Sequence, residues 1–479
     1  MTADFIGPLV PELALFALAV VVLAVGLVRR PRAADTPDLL LGGLAIVGVA
    51  GVAALTFRAG VATSLWGGAF VNDPLALFAK RLFLGATALS ILASLAVSRR
   101  ALTMRAPEYL FALLSSALGM LVLASARELV LLFVAFELMS IPLYVLTGFL
   151  KDEAVAPEAA LKFFLIGAAS SAVVVYGMSF VYGGTGTTEL AALPLALSQG
   201  DPFVRLGLAL LLAGLGFKIA AFPFHMWAPD SYEAASTPFV AWLSVAPKAA
   251  GFVAIVRLYL EGVGPASLFW MPVVATLAGL TIVAGNLMAI PQQNIKRMLA
   301  YSGVAHIGYM LVGLAALSSS GVAMVLFYLV AYLFGNMGAF FVVEVVSQSE
   351  KSDGIDAYRG LAQRSPLLAL AMLIFLLSLG GIPFVAGFWA KLYVFWAAID
   401  RGLFGLVFLG AVLTVVALYY YLLVARQMYI EAPASTDAVR VPTWLAVAIA
   451  ICAAGVVGVG LYPEPWVRAA LQVAATLFS

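Results

Sequence analysis

The sequence has 479 residues, of which 64% are hydrophobic and only 10% are charged, and its formal net charge is +2. Soluble globular chains are about 45–50% apolar and about one quarter charged, so this composition excludes a soluble protein, and it excludes intrinsic disorder as well. The small net charge gives no electrostatic support for nucleic-acid binding, and the single cysteine, Cys452, excludes an internal disulfide. These figures predict a polytopic membrane protein.

Continuous apolar runs of about 20 residues predict an all-α integral membrane protein with about fourteen transmembrane helices. The runs are too long and too uniformly apolar for the strands of a membrane β-barrel. The predicted spans are 9–28, 39–57, 75–97, 108–125, 128–150, 159–183, 203–222, 237–260, 269–290, 298–316, 321–346, 366–399, 403–427 and 443–462. Acidic Asp4 and Glu12 come before the first run, and arginines follow it. This order of charges is the reverse of that in a signal peptide, where basic residues come before the apolar run. It predicts a retained helix with its N-terminus outside.

Two of the predicted helices contain a break. The seventh is interrupted by FPFH at 222–225, and the twelfth by GGIP at 380–383. Proline removes a backbone hydrogen bond, and the freed backbone groups are tolerated in a membrane where they line a polar cavity. Broken helices at matching places in two halves of a chain are typical of a transport pathway.

The Lys and Arg residues in the loops and near the ends of the spans predict the orientation of the chain. Fifteen lie on the side that follows the first helix: Arg29, Arg30, Arg32, Arg99, Arg100, Arg105, Lys151, Lys162, Lys296, Arg297, Lys351, Arg359, Arg364, Arg426 and Arg440. Eight are assigned to the opposite side: Arg58, Lys80, Arg81, Arg127, Arg205, Arg257, Arg401 and Arg468. Because cytoplasmic loops carry the excess of positive charge, both termini are predicted on the outer side.

Three lysines remain inside predicted spans, Lys218, Lys248 and Lys391, and of the acidic residues Glu137 alone lies near the centre of one. Each such charge costs about 2.5–3.5 kcal/mol on insertion scales. Burial favours a neutral lysine, whereas a nearby carboxylate favours the charged form, so a buried lysine with a movable carboxylate is a switchable proton site. None of these intramembrane bases is an arginine, which would stay charged. Structural ion pairs and lysines that snorkel to the interface remain the alternative.

Both histidines of the chain lie near the predicted pathway, His225 in the first break and His306 in the tenth span. Histidine titrates near neutrality and can pass protons, although a buried histidine can instead simply satisfy a hydrogen bond. The glycine-rich GGTG at 183–186 lacks the lysine of a phosphate-binding loop. We find no Cys/His cluster of the kind that binds metal and no catalytic Ser–His pair, so no cofactor, metal or redox chemistry is expected in this chain.

Several long motifs resemble the antiporter-like membrane subunits of respiratory complex I, and most closely the subunit N family of bacterial NADH–quinone oxidoreductases. The motifs are GFKIAAFPFHMWAPDSYE at 216–233, SVAPKAAGF at 244–252, QNIKR at 293–297 followed by AYS at 300–302, GGIP at 380–383 and GFWAK at 387–391. The resemblance extends from about residue 108 to residue 426. It implies discontinuous helices 7 and 12, which agrees with the breaks described above.

The resemblance also implies a division of the chain. Three N-terminal helices in 1–107 precede two inverted five-helix repeats at 108–261 and 269–430, and a last helix with a short tail follows in 431–479. A lysine at position 391, where the M-type paralogue has glutamate, favours the N-type subunit. The short tail agrees with this, because the L-type subunit continues into a long lateral helix.

The resemblance implies a role for each residue of this chain that matches a motif of the family. Glu137 is implied to pair with Lys218, and Lys248 to be the central lysine. His306 is implied to link the two halves, and Lys391 to lead to the outer half-channel. The implied mechanism moves a proton from Lys218 to Lys248, through His306 and out past Lys391, after quinone reduction elsewhere disturbs these charges.

The implied function is that of a proton-translocating subunit of an NADH–quinone oxidoreductase in the bacterial inner membrane. NADH, FMN, iron–sulfur clusters and quinone are then expected in partner subunits, and the neighbours are M-type and small membrane subunits together with the lipid bilayer. Two other functions stay open. One is a subunit of a multisubunit cation/proton antiporter, which shares the fold and most of the motifs. The other is a scaffold of the membrane arm whose buried charges are structural.

Overall fold

The computed structural model describes residues 7–29, 38–60, 63–97, 103–194, 201–263, 270–433, 435 and 437–478. Within these ranges, thirteen helices are long and apolar enough to cross a membrane. The predicted all-α membrane fold is confirmed. Of the residues used above for orientation, five lie outside the described ranges: Asp4, Arg30, Arg32, Arg99 and Arg100.

Seven long helices form the first part of the chain. They are α1 (Val10–Arg29), α2 (Leu39–Arg58), α3 (Pro74–Ser94), α4 (Ala106–Ser125), α5 (Leu129–Thr147), α6 (Val155–Thr185) and α7 (Pro202–Ile219). Between α2 and α3, strands β1 (Thr63–Leu65) and β2 (Phe70–Asn72) form an antiparallel hairpin. Acidic side chains begin three of the helices, because Asp38, Asp73 and Glu128 accept hydrogen bonds from N–H groups of the first turn.

Shorter helices follow the end of α7. Residues 220–226 form turns, and Ala220 has a positive φ of 60°. Next come α8 (Trp227–Ala234), α9 (Thr237–Leu243) and α10 (Ala246–Val256), and the last of these continues as a π-helical turn at Arg257–Gly262. The eighth predicted span thus contains α9, α10 and the π-helical turn.

The rest of the chain is also helical. Its helices are α11 (Trp270–Ala289), α12 (Ile295–Ala315), α13 (Ser319–Glu350), α14 (Leu361–Arg364), α15 (Pro366–Gly380), α16 (Ala386–Ile399), α17 (Phe404–Tyr429), α18 (Thr443–Leu461) and α19 (Glu464–Ala475). The twelfth predicted span is occupied by α15 and α16, which are apolar but shorter than the other spans. The remaining thirteen predicted spans each correspond to one of the thirteen long membrane segments. The two inverted repeats stay a prediction.

The chain divides into two compact units. The first comprises Met1–Ile219, Ala234–Ser236 and Ala246–Phe269, and the second comprises Ala220–Glu233, Thr237–Val245 and Trp270–Ser479. Glycines bring helices into close contact within each unit. A Cβ at Gly119 of α4 would lie 2.3 Å from the backbone N of Met139 in α5, and a Cβ at Gly285 of α11 would lie 2.3 Å from the backbone N of Ala305 in α12. The helices that carry Glu137 and His306 are therefore held backbone to backbone against their neighbours.

Candidate functional site

Lys218 lies in the last turn of α7 with only 1% of its surface exposed. Its Nζ donates a hydrogen bond to Ser140 Oγ at 2.7 Å and lies 5.2 Å from the centre of the Phe136 ring. Both partners belong to α5 and both are neutral. The ammonium group is thus held by a hydroxyl and a ring face in the membrane-spanning part of the first unit.

Glu137 lies between these two residues on α5 and is half-buried. Its Oε1 accepts a hydrogen bond from Ser171 Oγ of α6 at 2.5 Å. Among the residues that the structure describes, no ion pair joins Glu137 to Lys218. The direct pairing implied by the resemblance is therefore not formed. Each group bonds instead to its own serine, and Ser140 lies one turn from Glu137 on α5.

Lys248 is the third residue of α10 and is also 1% exposed. One turn further along α10, a Cβ at Gly251 would lie 2.7 Å from Ile219 Cγ2 and 3.6 Å from Lys218 Cβ. Positions three residues apart share one face of a helix. Lys248 thus lies on the face of α10 that packs against the end of α7 next to Lys218, and the first unit brings the two lysines onto adjacent helices.

His306 of α12 lies in the second unit among hydroxyl groups and is 3% exposed. Its Nδ1 is 2.7 Å from Tyr328 OH, and its Nε2 is 3.3 Å from Tyr421 OH. Tyr421 OH also shares a hydrogen bond with Ser302 Oγ, and the Tyr332 ring lies 5.1 Å from the imidazole ring. An imidazole with a hydroxyl at each nitrogen can accept a proton on one side and release one on the other.

A further group of polar side chains leads from Tyr421 toward Lys391. The ring of Tyr420 lies 4.5 Å from that of Tyr421, and its OH donates a hydrogen bond to Asn286 Oδ1 at 3.1 Å. Asn286 Nδ2 donates in turn to Tyr309 OH at 3.3 Å. Lys391 Nζ lies 4.8 Å from the centre of the Tyr309 ring. Within the second unit, His306 and Lys391 are connected through side chains that are all buried and all uncharged.

The break between α15 and α16 supplies the polar partners of Lys391. Lys391 Nζ donates hydrogen bonds to the carbonyl oxygens of Leu379, at 2.9 Å, and Gly380, at 3.3 Å. These carbonyls are available because α15 ends there and Gly381 takes a positive φ of 82°. A Cβ at Gly381 would lie 3.0 Å from Lys391 Cδ, so glycine leaves the space that the lysine stem occupies.

His225 lies in the turns that follow α7 and is 4% exposed. Its Nε2 lies 3.4 Å from Met288 Sδ, and its ring is 6.3 Å from that of Tyr301. These contacts are separate from the hydroxyl groups that surround His306. Across the described ranges, no group of three or more His, Cys, Asp or Glu side chains could hold a metal ion.

Lys80 was counted above with the outer loop charges, and that assignment is wrong. It lies inside α3 with no exposed surface, and its Nζ forms an ion pair with Glu12 Oε1 of α1 at 2.7 Å. It also donates a hydrogen bond to Asn72 Oδ1. The predicted span 75–97 already contained this position. Near the end of a span, the sequence does not distinguish a charged residue in a loop from one that pairs with another helix inside the protein.

Arg257 was likewise counted as a loop charge, and it overturns the expectation that no arginine lies within the spans. The eighth span extends through the π-helical turn, and the Arg257 side chain in that turn is completely buried. It bonds to both carboxylate oxygens of Asp73 at 2.8 Å and to Glu261 Oε1 at 2.7 Å. Burial raises the pKa of the Asp73 carboxyl, but the charge and hydrogen bonds of Arg257 outweigh it and hold that pKa below its usual value.

The sequence did not identify the neutral partners of the candidate residues. They are Ser140, Ser171, Asn286, Tyr328 and Tyr421. Hydroxyl groups are common in transmembrane runs because they can bond to the helix backbone of the preceding turn. A serine or tyrosine therefore gives no sequence signal that it faces a functional lysine or histidine, and only the packing of the helices identifies it.

The chain was compared with known proteins. The family model described as NADH:quinone oxidoreductase/Mrp antiporter, TM, matches residues 126–417. The chain is 42% identical to NADH-quinone oxidoreductase subunit N of Heliobacterium modesticaldum, over 96% of this chain and 97% of that protein. It is also 42% identical to NADH-quinone oxidoreductase subunit N 2 of Rhizobium meliloti, over 97% of each.

Two solved structures are similar over nearly the whole chain. A chain of respiratory complex I from Thermus thermophilus matches with a TM-score of 0.80 and 32% identity, covering 96% of this chain and 98% of that one. A chain of the Mrp complex from Dietzia sp. has a TM-score of 0.86 at 21% identity, covering 100% and 98%, which shows a shared fold alone. The chain therefore belongs to the NADH:quinone oxidoreductase/Mrp antiporter membrane family and, within it, to the subunit N family of NADH-quinone oxidoreductases.

Proposed function

We propose that this chain is a proton-translocating membrane subunit of a respiratory NADH–quinone oxidoreductase, in which electron transfer to quinone in partner subunits drives protons through the chain. The observation that carries the proposal is the bonding of Lys218 and Lys391. Both are buried in membrane segments, and both ammonium groups bond to neutral oxygen atoms. A buried lysine held by a carboxylate stays charged, whereas one held by neutral oxygens can lose its proton.

In the first unit, the proposed switch is the distance between Glu137 and Lys218. Movement of the carboxylate from Ser171 toward the ammonium group favours the charged lysine, and its withdrawal favours release of the proton. A displacement that changes the proton affinity tenfold requires about 1.4 kcal/mol, so a modest movement is sufficient. Lys248, on the adjacent helix next to Lys218, is the proposed acceptor of that proton.

In the second unit, His306 is the proposed proton donor and Lys391 the proposed site of release. The intervening side chains, Tyr421, Tyr420, Asn286 and Tyr309, are hydrogen bonded or in ring contact in that order. Hydroxyl and imidazole groups can pass protons by exchanging donor and acceptor roles, and bridging water is required at the ring contacts and at the Asn286 amide. His225 is proposed as an accessory relay residue near the first break.

The proposed setting is the bacterial inner membrane, with both termini on the outer side. Moving the buried Lys80 and Arg257 out of the loop count leaves the excess of positive charge on the side that follows the first helix. The proposed partners are the neighbouring membrane-arm subunits. NADH, FMN, iron–sulfur clusters and quinone are assigned to partner subunits.

The proposal is tested with a Lys218→Met variant of the complete complex reconstituted in lipid vesicles. Proton-transfer groups contribute about 10²–10⁴-fold to the steps they catalyse, so NADH-driven proton uptake is expected to fall at least about tenfold. Lys162→Met is the matched control, because Lys162 is about half exposed on α6 and pairs with Glu158. Proton uptake that is unchanged in Lys218→Met would contradict the central assignment.

A further inference from the structure

One buried carboxylate, Glu344, has no role in the mechanism above. It lies on α13, six residues before the helix ends at Glu350, and only 1% of its surface is exposed. Its Oε1 accepts a hydrogen bond from Gln348 Nε2 at 2.8 Å. Its Oε2 is buried and has no hydrogen-bond partner among the described residues. Leaving a buried acceptor unsatisfied is costly, so such a group requires a specific explanation.

Glu344 belongs to a ridge of residues spaced four apart along α13. The ridge contains Tyr328, Tyr332, Asn336, Phe340, Glu344 and Gln348. Residues at this spacing form a continuous row that winds slowly about a helix. At one end of the row, Tyr328 and Tyr332 contact His306. Glu344 lies about 18 Å from Tyr332 along the helix axis, at 1.5 Å per residue.

Unsatisfied polar atoms recur along this ridge. The Tyr332 OH and the Asn336 Oδ1 are, like Glu344 Oε2, buried without a hydrogen-bond partner within the described ranges. Asn336 Nδ2 is satisfied, because it donates to Ser244 Oγ at 2.6 Å. Buried polar groups that lack protein partners in folded proteins are ordinarily satisfied by ordered water. Three such groups on one helix ridge are the arrangement expected beside a row of water molecules.

The other end of the ridge approaches the surface. Gln348 is half-buried, and Ser347 donates a hydrogen bond to Asp353, whose side chain is 25% exposed. Two ion pairs lie at this end, Lys296 with Asp353 at 2.9 Å and Arg364 with Glu350 at 2.7 Å, and the exposed Lys351 directly follows the helix. Arg297 pairs with Asp230 and Glu233. Among the described residues, no ion pair joins a cation to Glu344.

We propose that Glu344 is the carboxylate that takes up protons for the second unit and that the α13 ridge lines a water-filled path from it to His306. The deprotonated carboxylate accepts a proton at the Asp353 end of the helix and becomes a neutral acid. That acid gives the proton to the water next to Asn336 and Tyr332, from which it reaches His306. Glu344 returns to its anionic form, and no electron or other bond is involved.

This inference rests on the proposed function, because a proton-uptake group is useful only if His306 and Lys391 carry protons. It adds a residue and a direction to that mechanism. The path begins at the end of α13 that lies near Asp353, on the side to which the positive charges assign the cytoplasm.

The first test replaces Glu344 in the complete complex reconstituted in vesicles. Glu344→Gln keeps the shape and the hydrogen bond to Gln348 but cannot bind the proton, so NADH-driven proton uptake is expected to fall at least about tenfold. Glu344→Asp is expected to keep most of the activity. Glu350→Gln is the matched control on the same helix, because Glu350 pairs with Arg364 near the surface, and it is expected to pump normally.

The outcomes separate this inference from the proposed function. If His306→Leu or Lys391→Met abolishes pumping while Glu344→Gln pumps normally, the assignment of Glu344 is wrong and the proposed function stands. If all three variants pump normally, the proposed function itself fails. If Glu344→Asp loses as much activity as Glu344→Gln although both complexes assemble, the side chain has a packing role and the inference fails.

The second test measures whether water reaches the side chains of the α13 ridge. The single native cysteine, Cys452, is buried and is replaced in a Cys452→Ala background. Asn336→Cys is expected to react with a small, charged thiol reagent at least about tenfold faster than Val342→Cys, since water-exposed thiols ionise and react more readily than those in apolar surroundings. Val342 is the control because it is buried on α13 and is two residues from Glu344, hence on a different face. Equal rates at the two positions would overturn the water-filled path.

Discussion

Two sets of buried lysines in this chain have the same residue type and the same burial but different partners. Lys80, near the N-terminus, forms an ion pair with Glu12 at 2.7 Å and also bonds to Asn72. Lys218 and Lys391 bond instead to a serine hydroxyl and to two backbone carbonyls. A carboxylate in contact fixes the charge of an ammonium group, whereas neutral oxygens leave it able to deprotonate. We propose that the partner of a buried lysine distinguishes a structural lysine from a proton-exchanging one.

The largest expected effect follows from breaking the Glu12–Lys80 pair. Removing one partner of a buried ion pair leaves an uncompensated charge and costs about 3–5 kcal/mol. Lys80→Met is therefore expected to lower the thermal stability of the purified complex and its yield, and Glu12→Gln combined with Lys80→Met is expected to restore much of both. If the double variant is as unstable as the single one, the pair is not the source of the loss.

A second prediction compares arginine at the two kinds of site. Arginine keeps its charge but cannot release a proton under physiological conditions. Lys391→Arg is therefore expected to reduce NADH-driven proton uptake at least about tenfold, while Lys80→Arg pumps at nearly the native rate. Proton uptake in reconstituted vesicles measures both. Normal pumping by Lys391→Arg would remove the distinction between the two sets of lysines.

A smaller effect is expected from the neutral partner of Lys218. Ser140→Ala removes one hydrogen bond to the ammonium group, and a bond to a charged group contributes about 1.5–3 kcal/mol. Proton uptake should fall severalfold, and Ser140→Thr, which keeps the hydroxyl, should retain most of it. The control is Ser179→Ala, because the Ser179 hydroxyl bonds only to a nearby backbone carbonyl, that of Tyr176, on the exposed side of α6.

The smallest effect is expected from the pH dependence of the Asp73–Arg257 pair. Because Arg257 holds the pKa of Asp73 below its ordinary value of 3.8, the folded state binds this proton more weakly than the unfolded state. The stabilisation is therefore fully present above pH 3.8 and is lost as the pH falls through the lowered pKa. Thermal unfolding from pH 6 to pH 3 should show a steeper loss of stability in the native complex than in Asp73→Asn.

Much of the fold could be predicted from the sequence, because a membrane imposes simple rules on helix length and composition. Each predicted span corresponds to one long helical segment, which for the eighth comprises α9, α10 and the π-helical turn, or, for the twelfth, to the helix pair Pro366–Gly380 and Ala386–Ile399. Lys218, Lys248 and Lys391 could be identified because a charge within an apolar run is rare and costly. The partners of these residues could not be identified in this way. A hydroxyl side chain such as that of Ser140 or Tyr421 adds little to the cost of inserting an apolar run, so it does not stand out in the sequence.

The errors in the sequence interpretation concern charges near the ends of spans. Lys80 and Arg257 were assigned to loops, although Glu12 and Asp73 neutralise them within the protein. Glu344 gives no signal of a buried charge in the sequence, because it lies near the end of its predicted span, 321–346. At such positions the sequence cannot distinguish a side chain that reaches the interface from one turned into the protein, since that depends on which helix lies beside it.

The sequence alone determined that this chain is a membrane protein and where its long apolar helices lie. These properties follow from the cost of exposing polar groups to lipid, which is local and can be calculated residue by residue. The tertiary structure decided which buried charges are neutralised and which are held by neutral oxygens. That distinction arises from contacts between different helices, such as α1 with α3 or α5 with α7, which the order of residues along the chain does not reveal.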